Sequence, residues 1–267
     1  MRREIGWIRG SRHSAWFTAA VDDSELLLVL HAAVDAVVAV FDGHNDWGLS
    51  GGRQGQYASD LVADEAAVEA LTGAGLRVLS EESGLSAGSG MVAVLDPLDG
   101  STNASRPLPW YATSVCVVDN TGPLAAVVHD HTAGVRHDAV RGGGARVDGA
   151  PLARRESVEL HEALVAVNGL PPRNPGWGQF RCYGAAALDL CAVADGRFDA
   201  FVDYDHDALG AWDYLGGLLV CSEVGVDVVD AKGRDLVTLD HLDRRTPVAA
   251  PGSLLDPLLQ ARQDADR

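Results

Sequence analysis

Hydrophobic and polar residues change their period several times along this chain, and each change marks an element. Leu26 to Phe41 is almost continuously apolar, broken by His31 and Asp35, and predicts a largely buried first helix over Ser24–Phe41 with Ser24 as its N-cap. A polar, Gly-rich loop follows from Asp42 to Gln56, whose length suits a mobile flap, with a plain surface loop as the alternative. A second helix is predicted over Ser59–Thr72, stopped by Gly73-Ala74-Gly75, and Leu76–Leu79 reads as a short strand leading into Ser80-Glu81-Glu82-Ser83-Gly84. Met91–Leu95 reads as a buried strand, which puts Asp96 where that strand ends. Tyr111–Val118, Pro123–His129, Val135–Ala139 and Gly144–Val147 are apolar runs separated by turn residues, the pattern of an antiparallel meander. From Ala163 onward strand and helix alternate: strand Ala163–Val167, helix Gly184–Asp195, strand Asp199–Val202, helix Trp212–Val224, strand Val226–Val229. A last strand, Val248–Ala250, precedes a terminal helix near Leu254–Gln260. This order predicts an α/β (α+β layered) protein whose two packed layers share one site.

Composition narrows the function. In 267 residues, 47% are hydrophobic and the formal net charge is −17, which argues against a nucleic-acid partner because phosphate backbones require clustered Lys and Arg. The apolar stretch at 26–41 carries two polar residues and lacks a basic flank, so neither a membrane partner nor a signal peptide is expected. Cys116, Cys182, Cys191 and Cys221 form no CxxC pair and are expected to be small buried residues in a reducing, cytoplasmic compartment. Residues 1–20 are expected to be an N-terminal extension, 21–260 one catalytic unit (an N-terminal α+β part to about 160, then an α/β part), and 261–267 a tail.

The chemistry concentrates in Leu95-Asp96-Pro97-Leu98-Asp99-Gly100-Ser101-Thr102. Two carboxylates three residues apart are followed by a turn whose N–H groups can face an anion, a combination suited to a hard cation beside a phosphate. Glu81-Glu82 and Asp213 add further carboxylates at predicted strand ends or helix starts. Acids crowded in this way are stable at neutral pH only with protons or cations, and Mg2+ suits an all-oxygen set. Other clusters read more plainly. Asp203–Asp207 lacks the Gly and Glu of an EF-hand, having Ala208 and Tyr214 there. His129, His131 and His137 read as exposed strand-end histidines, and Gly142–Gly144 as a hairpin turn.

Asp96-Pro97-Leu98-Asp99-Gly100-Ser101 resembles the DP(I/L)DG(T/S) signature of the inositol monophosphatase family of Mg2+-dependent, lithium-sensitive phosphatases. Trp212-Asp213-Tyr214-Leu215-Gly216-Gly217 through Gly225 resembles that family's WDxxxGxxxxxEAG signature, and Ser80–Ser83 its (G/S)EES. The resemblance implies an αβαβα sandwich of two packed subdomains, a homodimer, and two or three Mg2+ ions. It implies that Glu81, Asp96, Asp99 and the Leu98 carbonyl hold one metal, and that Asp96, Asp99 and Asp213 hold a second. It further implies that the N–H groups of Gly100 and Ser101 bind phosphate while Glu82 and the Ser101 hydroxyl polarise the attacking water. Asp60 or Asp64 would bind a third metal; the spacing is shorter than the family's, so both stay open. Asp203 is a candidate for a substrate hydroxyl from the cleft rim, with a solvated acidic loop as the alternative. Ala185 stands where the family has a hydroxyl residue beside the substrate ring, and Arg53 is no more than a candidate stand-in for the flap lysine that this loop lacks.

The implied activity is hydrolysis of a small polyol or sugar monophosphate by metal-activated water, with myo-inositol monophosphate the leading substrate. Histidinol phosphate, 3′(2′),5′-bisphosphate nucleotides and fructose 1,6-bisphosphate are alternatives within the superfamily. A non-catalytic regulatory binding protein is the alternative of another class.

Overall fold

The computed structural model describes residues 23–265; the expected extension at residues 1–20 lies outside them. Helices α1 (Asp23–Phe41) and α2 (Ala58–Gly73) come first. An eight-stranded sheet follows: β1 (Arg77–Ser80), β2 (Gly84–Leu85), β3 (Val92–Asp99), β4 (Ala112–Asp119), β5 (Gly122–Asp130), β6 (Val135–Val140), β7 (Gly144–Val147) and β8 (Ala150–Pro151), with a one-turn helix α3 (Ser101–Ser105) after β3. Its order is β2-β1-β3-β4-β5-β6-β7-β8, antiparallel except for the β1–β3 pair. The second half contains β9 (Leu164–Asn168), β10 (Gln179–Arg181), α4 (Ala186–Asp195), β11 (Ala200–Asp203), α5 (Ala211–Glu223), β12 (Val226–Asp230), β13 (Pro247–Pro251) and α6 (Leu255–Asp264). These strands form a five-stranded sheet in the order β10-β9-β11-β13-β12.

The alternation of side chains along each strand builds the layers. Ala93, Leu95, Val115, Val117, Ala125 and Val127 face Leu26, Leu30, Val34 and Val37 of α1 and Ala63, Ala67 and Leu71 of α2. The intervening Val92, Val94, Cys116, Val118, Ala126 and Val128 pack with α4 and α5. Phe201 and Ala249 of the second sheet join that same core, whereas Val165, Val202 and Val248 face Leu254 and Leu258 at the α6 side. The layer order is therefore αβαβα, as the resemblance implied. Because helices cover both faces, the central strands read as unbroken apolar runs rather than as alternating ones.

Several expectations are corrected. Helix α1 includes Asp23, so Ser24 lies inside it rather than at its N-cap. By length and composition Ser24–Phe41 could cross a membrane, yet Leu26, Leu30, Ala33, Val34 and Val37 fill the core under the sheet. Strand β3 continues through Asp99 instead of ending before Asp96. Cys182 is exposed, while the other three cysteines are buried. His129 and His137 are buried rather than exposed, on opposite faces of the meander: His137 Nε2 meets Asp195 Oδ2 of α4 at 2.9 Å, while the His129 ring packs edge-on against His131 with centroids 4.7 Å apart. Helix α6 runs to Asp264, into the stretch expected as a tail.

Candidate active site

The site lies where the ends of β1 and β3 meet the first turns of α3, α4 and α5. On a regular strand Asp96 and Asp99 would point to opposite faces. Here Asp96 pairs with Ser114 and Asp99 with Ala112, so three steps on β3 oppose two on β4. This bulge restores both carboxylates to one side. Pro97 tolerates the irregularity, having no N–H to contribute to the ladder, and its carbonyl accepts the Thr113 hydroxyl at 2.9 Å. Within the bulge the Leu98 N–H donates to Asp96 Oδ1 at 3.0 Å. Gly100 then turns the chain with φ +83°, and α3 begins at Ser101.

Each further acid is fixed by a helix start. Asp99 Oδ2 accepts the Ala187 N–H of α4 at 2.7 Å, and Asp213 Oδ2 accepts the Gly210 N–H ahead of α5 at 2.6 Å. One oxygen from each of Asp96, Asp99 and Asp213 lies within 4.8 Å of the others. Glu81 follows β1 and extends its pairing, its N–H donating to the Leu95 carbonyl at 3.1 Å. Glu82 is gripped by the flap: Arg53 Nη2 reaches both its carboxylate oxygens at 2.9 Å, and Gln56 Nε2 donates to one of them.

Electrostatics binds this group together. Burial first, then Glu81, Asp99 and Asp213, push the Asp96 carboxyl well above its ordinary range. Burial and the charges of Glu81 and Asp99 do the same to Asp213. Glu81 rises to about 7 through burial and then Glu82 and Asp60; Asp99 also rises to about 7 through burial, opposed by the N–H groups of Ala187 and Ala186. Asp60 reaches about 7 by burial, opposed by the Tyr57 N–H. Asp96 Oδ2 and Asp60 Oδ1 are buried with no hydrogen-bond partner. An all-oxygen set with orphaned lone pairs and excess negative charge fits hard divalent cations.

The remaining expected residues separate. Asp60 faces this group, whereas Asp64 Oδ1 accepts the Ser80 hydroxyl at 2.5 Å and the Ser83 hydroxyl at 3.3 Å. Ala185 is buried against Gly100: a Cβ at Gly100 would meet Ala185 Cβ at 3.1 Å. Asp203 ends β11 and is fully buried, not part of a solvated loop. Asn168 Nδ2 and the Asp205 N–H hold its Oδ1 at 3.0 and 2.9 Å, and its Oδ2 has no partner.

Three contributors carry no spacing signal in the sequence. His241 Nε2 lies 2.9 Å from the Glu81 carbonyl, Arg244 sits 4.9 Å over the Trp212 ring beside Asp213, and buried Asp189 accepts Trp110 Nε1 at 3.0 Å. They are isolated polar residues brought in by distant chain segments.

Residues 55–267 match the sequence profile of the Inositol monophosphatase family. An inositol-1-monophosphatase of Caulobacter vibrioides is 32% identical over 203 residues, covering 67% of this chain and 77% of that protein. A fructose-1,6-bisphosphatase/inositol-1-monophosphatase of Archaeoglobus fulgidus is 31% identical over 209 residues, 76% and 82% of the two chains. A Nus factor SuhB of Xylella fastidiosa is 32% identical over 202 residues, 69% and 72%. Among solved structures, a Pyrococcus horikoshii protein described as similar to inositol-1 monophosphatase superposes with a TM-score of 0.78 at 24% identity, covering 89% of this chain and 96% of the other, a likeness of fold.

Proposed function

The chain belongs to the inositol monophosphatase family, and from that premise we propose that it is a Mg2+-dependent phosphomonoesterase acting on a small polyol or sugar monophosphate, with myo-inositol monophosphate the leading substrate. The observation that carries this reading is the convergence of Asp96, Asp99 and Asp213 within 4.8 Å, with Glu81 electrostatically coupled to all three. Asp96, Asp99, Asp213, Glu81 and the Leu98 carbonyl hold the cations, and Asp60 rather than Asp64 serves a third, since Asp64 is engaged by Ser80 and Ser83. When bound, divalent cations supply an activated water and neutralise charge on the phosphate.

The protein's own groups do the rest. The N–H groups of Gly100 and Ser101, beyond the left-handed turn, receive phosphate oxygens. Glu82 and the Ser101 hydroxyl orient the water and the Glu82 carboxylate takes up its proton; the Arg53 grip aims that carboxylate. Asp203 offers its unpartnered Oδ2 to a substrate hydroxyl. Ala185 offers none, which widens the range of substrates beyond inositol to histidinol phosphate and to the bisphosphates of nucleotides and fructose. A regulatory binding role is the second reading, favoured by a relative named Nus factor SuhB.

Phosphate release from these substrates, with Mg2+ or with a chelator, tests the reading. Release is expected only with Mg2+, and Asp96→Asn is expected to lower it by roughly 100-fold or more, the scale of losing cation stabilisation. Turnover that survives chelation sinks the mechanism, and a panel with no turnover moves the weight to the binding role.

A further inference from the structure

The turn that carries Glu81 and Glu82 has little backbone support of its own. The parallel β1–β3 pairing reaches its last rung at the Glu81 N–H, and Glu82 N–H finds only the Ser80 hydroxyl at 3.2 Å. The Glu81 carbonyl takes its donors from distant segments: Arg53 Nη1 of the loop before α2 at a long 3.5 Å and, much closer, His241 Nε2, 160 residues further along the chain, at 2.9 Å. Nε2 must carry the proton to donate to a carbonyl. The same imidazole lies 4.9 Å from the Trp212 ring at 33°, and Trp212 immediately precedes Asp213 in α5. The ring also lies beneath the turn, with Cδ2 4.0 Å from where a Gly84 Cβ would stand. Arg244 fixes this segment: its Nη1 donates to the His241 carbonyl at 2.8 Å while its guanidinium covers Trp212.

From this geometry we infer that His241 is a positioning residue for the metal site, setting the distance between the Glu81 turn and the start of α5. It touches neither carboxylate. It spans from the segment between β12 and β13, in the half built on the five-stranded sheet, to the loop after β1, in the other half. One ring thus ties the backbone of one acid to the neighbour of another. Mg2+ demands near-ideal octahedral geometry, so slack of a fraction of an ångström between two ligands is felt as lost affinity. Outer partners of this kind are typically worth about 10–100-fold in metal affinity.

The inference rests on the metal site proposed above, and its test reads metal binding rather than turnover. His241→Phe keeps an aromatic ring for Trp212 and removes the nearer donor, leaving only the long contact from Arg53; His241→Gln keeps a donor of similar reach. Calorimetric titration of the whole chain with Mg2+ is expected to show affinity weakened about tenfold in the Phe variant and largely restored in the Gln variant. The melting temperatures of the metal-free proteins are expected to stay close to one another. Should the Phe variant not fold, His241→Asn, too short to reach the carbonyl, carries the same expectation. Wild-type affinity in the donor-less variants overturns the inference, as does an equal loss in Phe and Gln, which would assign the effect to ring shape. A wild-type chain that binds Mg2+ but releases no phosphate overturns the phosphatase reading and leaves the His241 result standing. A wild-type chain that binds no Mg2+ overturns both.

Discussion

Gly100 sits where β3 turns into α3, pressed between Trp110 on one side and Gly184 and Ala185 on the other. At φ +83°, a Cβ there would sit 3.0 Å from the Trp110 carbonyl oxygen, 3.1 Å from Ala185 Cβ and 3.3 Å from the Gly184 carbonyl oxygen. Two of these neighbours are backbone and cannot swing aside. Gly100→Ala is therefore expected to lose about 1–3 kcal/mol of stability and to lower phosphate release with it, checked by thermal melting beside the Mg2+-dependent assay. The Gly in this motif was legible as a turn from sequence; the walls around it were not. Asp99 shows the same division. Its place in a carboxylate pair is written in the motif, but the Ala187 N–H that orients it belongs to a helix 88 residues away. His241 had no motif at all, since a single histidine between two strands carries no spacing to read.

Helix α5 packs on two surfaces at once, and its paired glycines make that close approach feasible. A Cβ at Gly217 would lie 2.5 Å from Leu190 Cβ on α4, and one at Gly216 would lie 2.5 Å from the Ser114 hydroxyl on β4. Alanine would ordinarily favour a helix by up to about 1 kcal/mol over glycine. At Gly217 the opposing atom is a fixed Cβ, so overpacking of about 1–3 kcal/mol is expected to win and Gly217→Ala to lower the melting temperature. Gly73, at the end of α2, meets nothing within 4 Å, and Gly73→Ala is expected to be neutral or slightly stabilising in the same measurement. Element types and most centres were legible because long apolar runs between Gly-rich turns leave few alternatives. The bulge in β3 was not, because it depends on the register with β4 rather than on β3's own residues.

At the scale of the molecule, the ends of β1 and β3 and the first turns of α2, α4 and α5 converge on one excess of negative charge. Asp60, Glu81 and Asp99 rise to about 7 from ordinary values of 3.8, 4.5 and 3.8, chiefly through burial, with the Glu82 charge adding to the rise of Asp60 and Glu81. Between about pH 4 and 7 the folded metal-free chain thus holds protons that the unfolded chain has released. Stability of the metal-free protein is expected to fall as pH rises through that window. Asp119, Asp138, Asp195 and Asp230 are depressed by burial-opposing hydrogen bonds to Arg and neighbouring groups, and their contribution is lost only on acidification below about 4. Adding Mg2+ is expected to raise the melting temperature most near pH 7–8, where the carboxylates are released to bind it; a gain independent of pH would contradict this account. The sequence by itself determined the layered fold class and which acids sit in the family's motifs, because periodicity and oxygen-rich motifs are local properties. Only the tertiary structure decided that Asp64 is engaged by Ser80 and Ser83 while one Asp60 oxygen is buried without a partner, that Arg53 grips Glu82, and that His241 spans the two halves. Those facts depend on which distant backbones meet, and no local period records that.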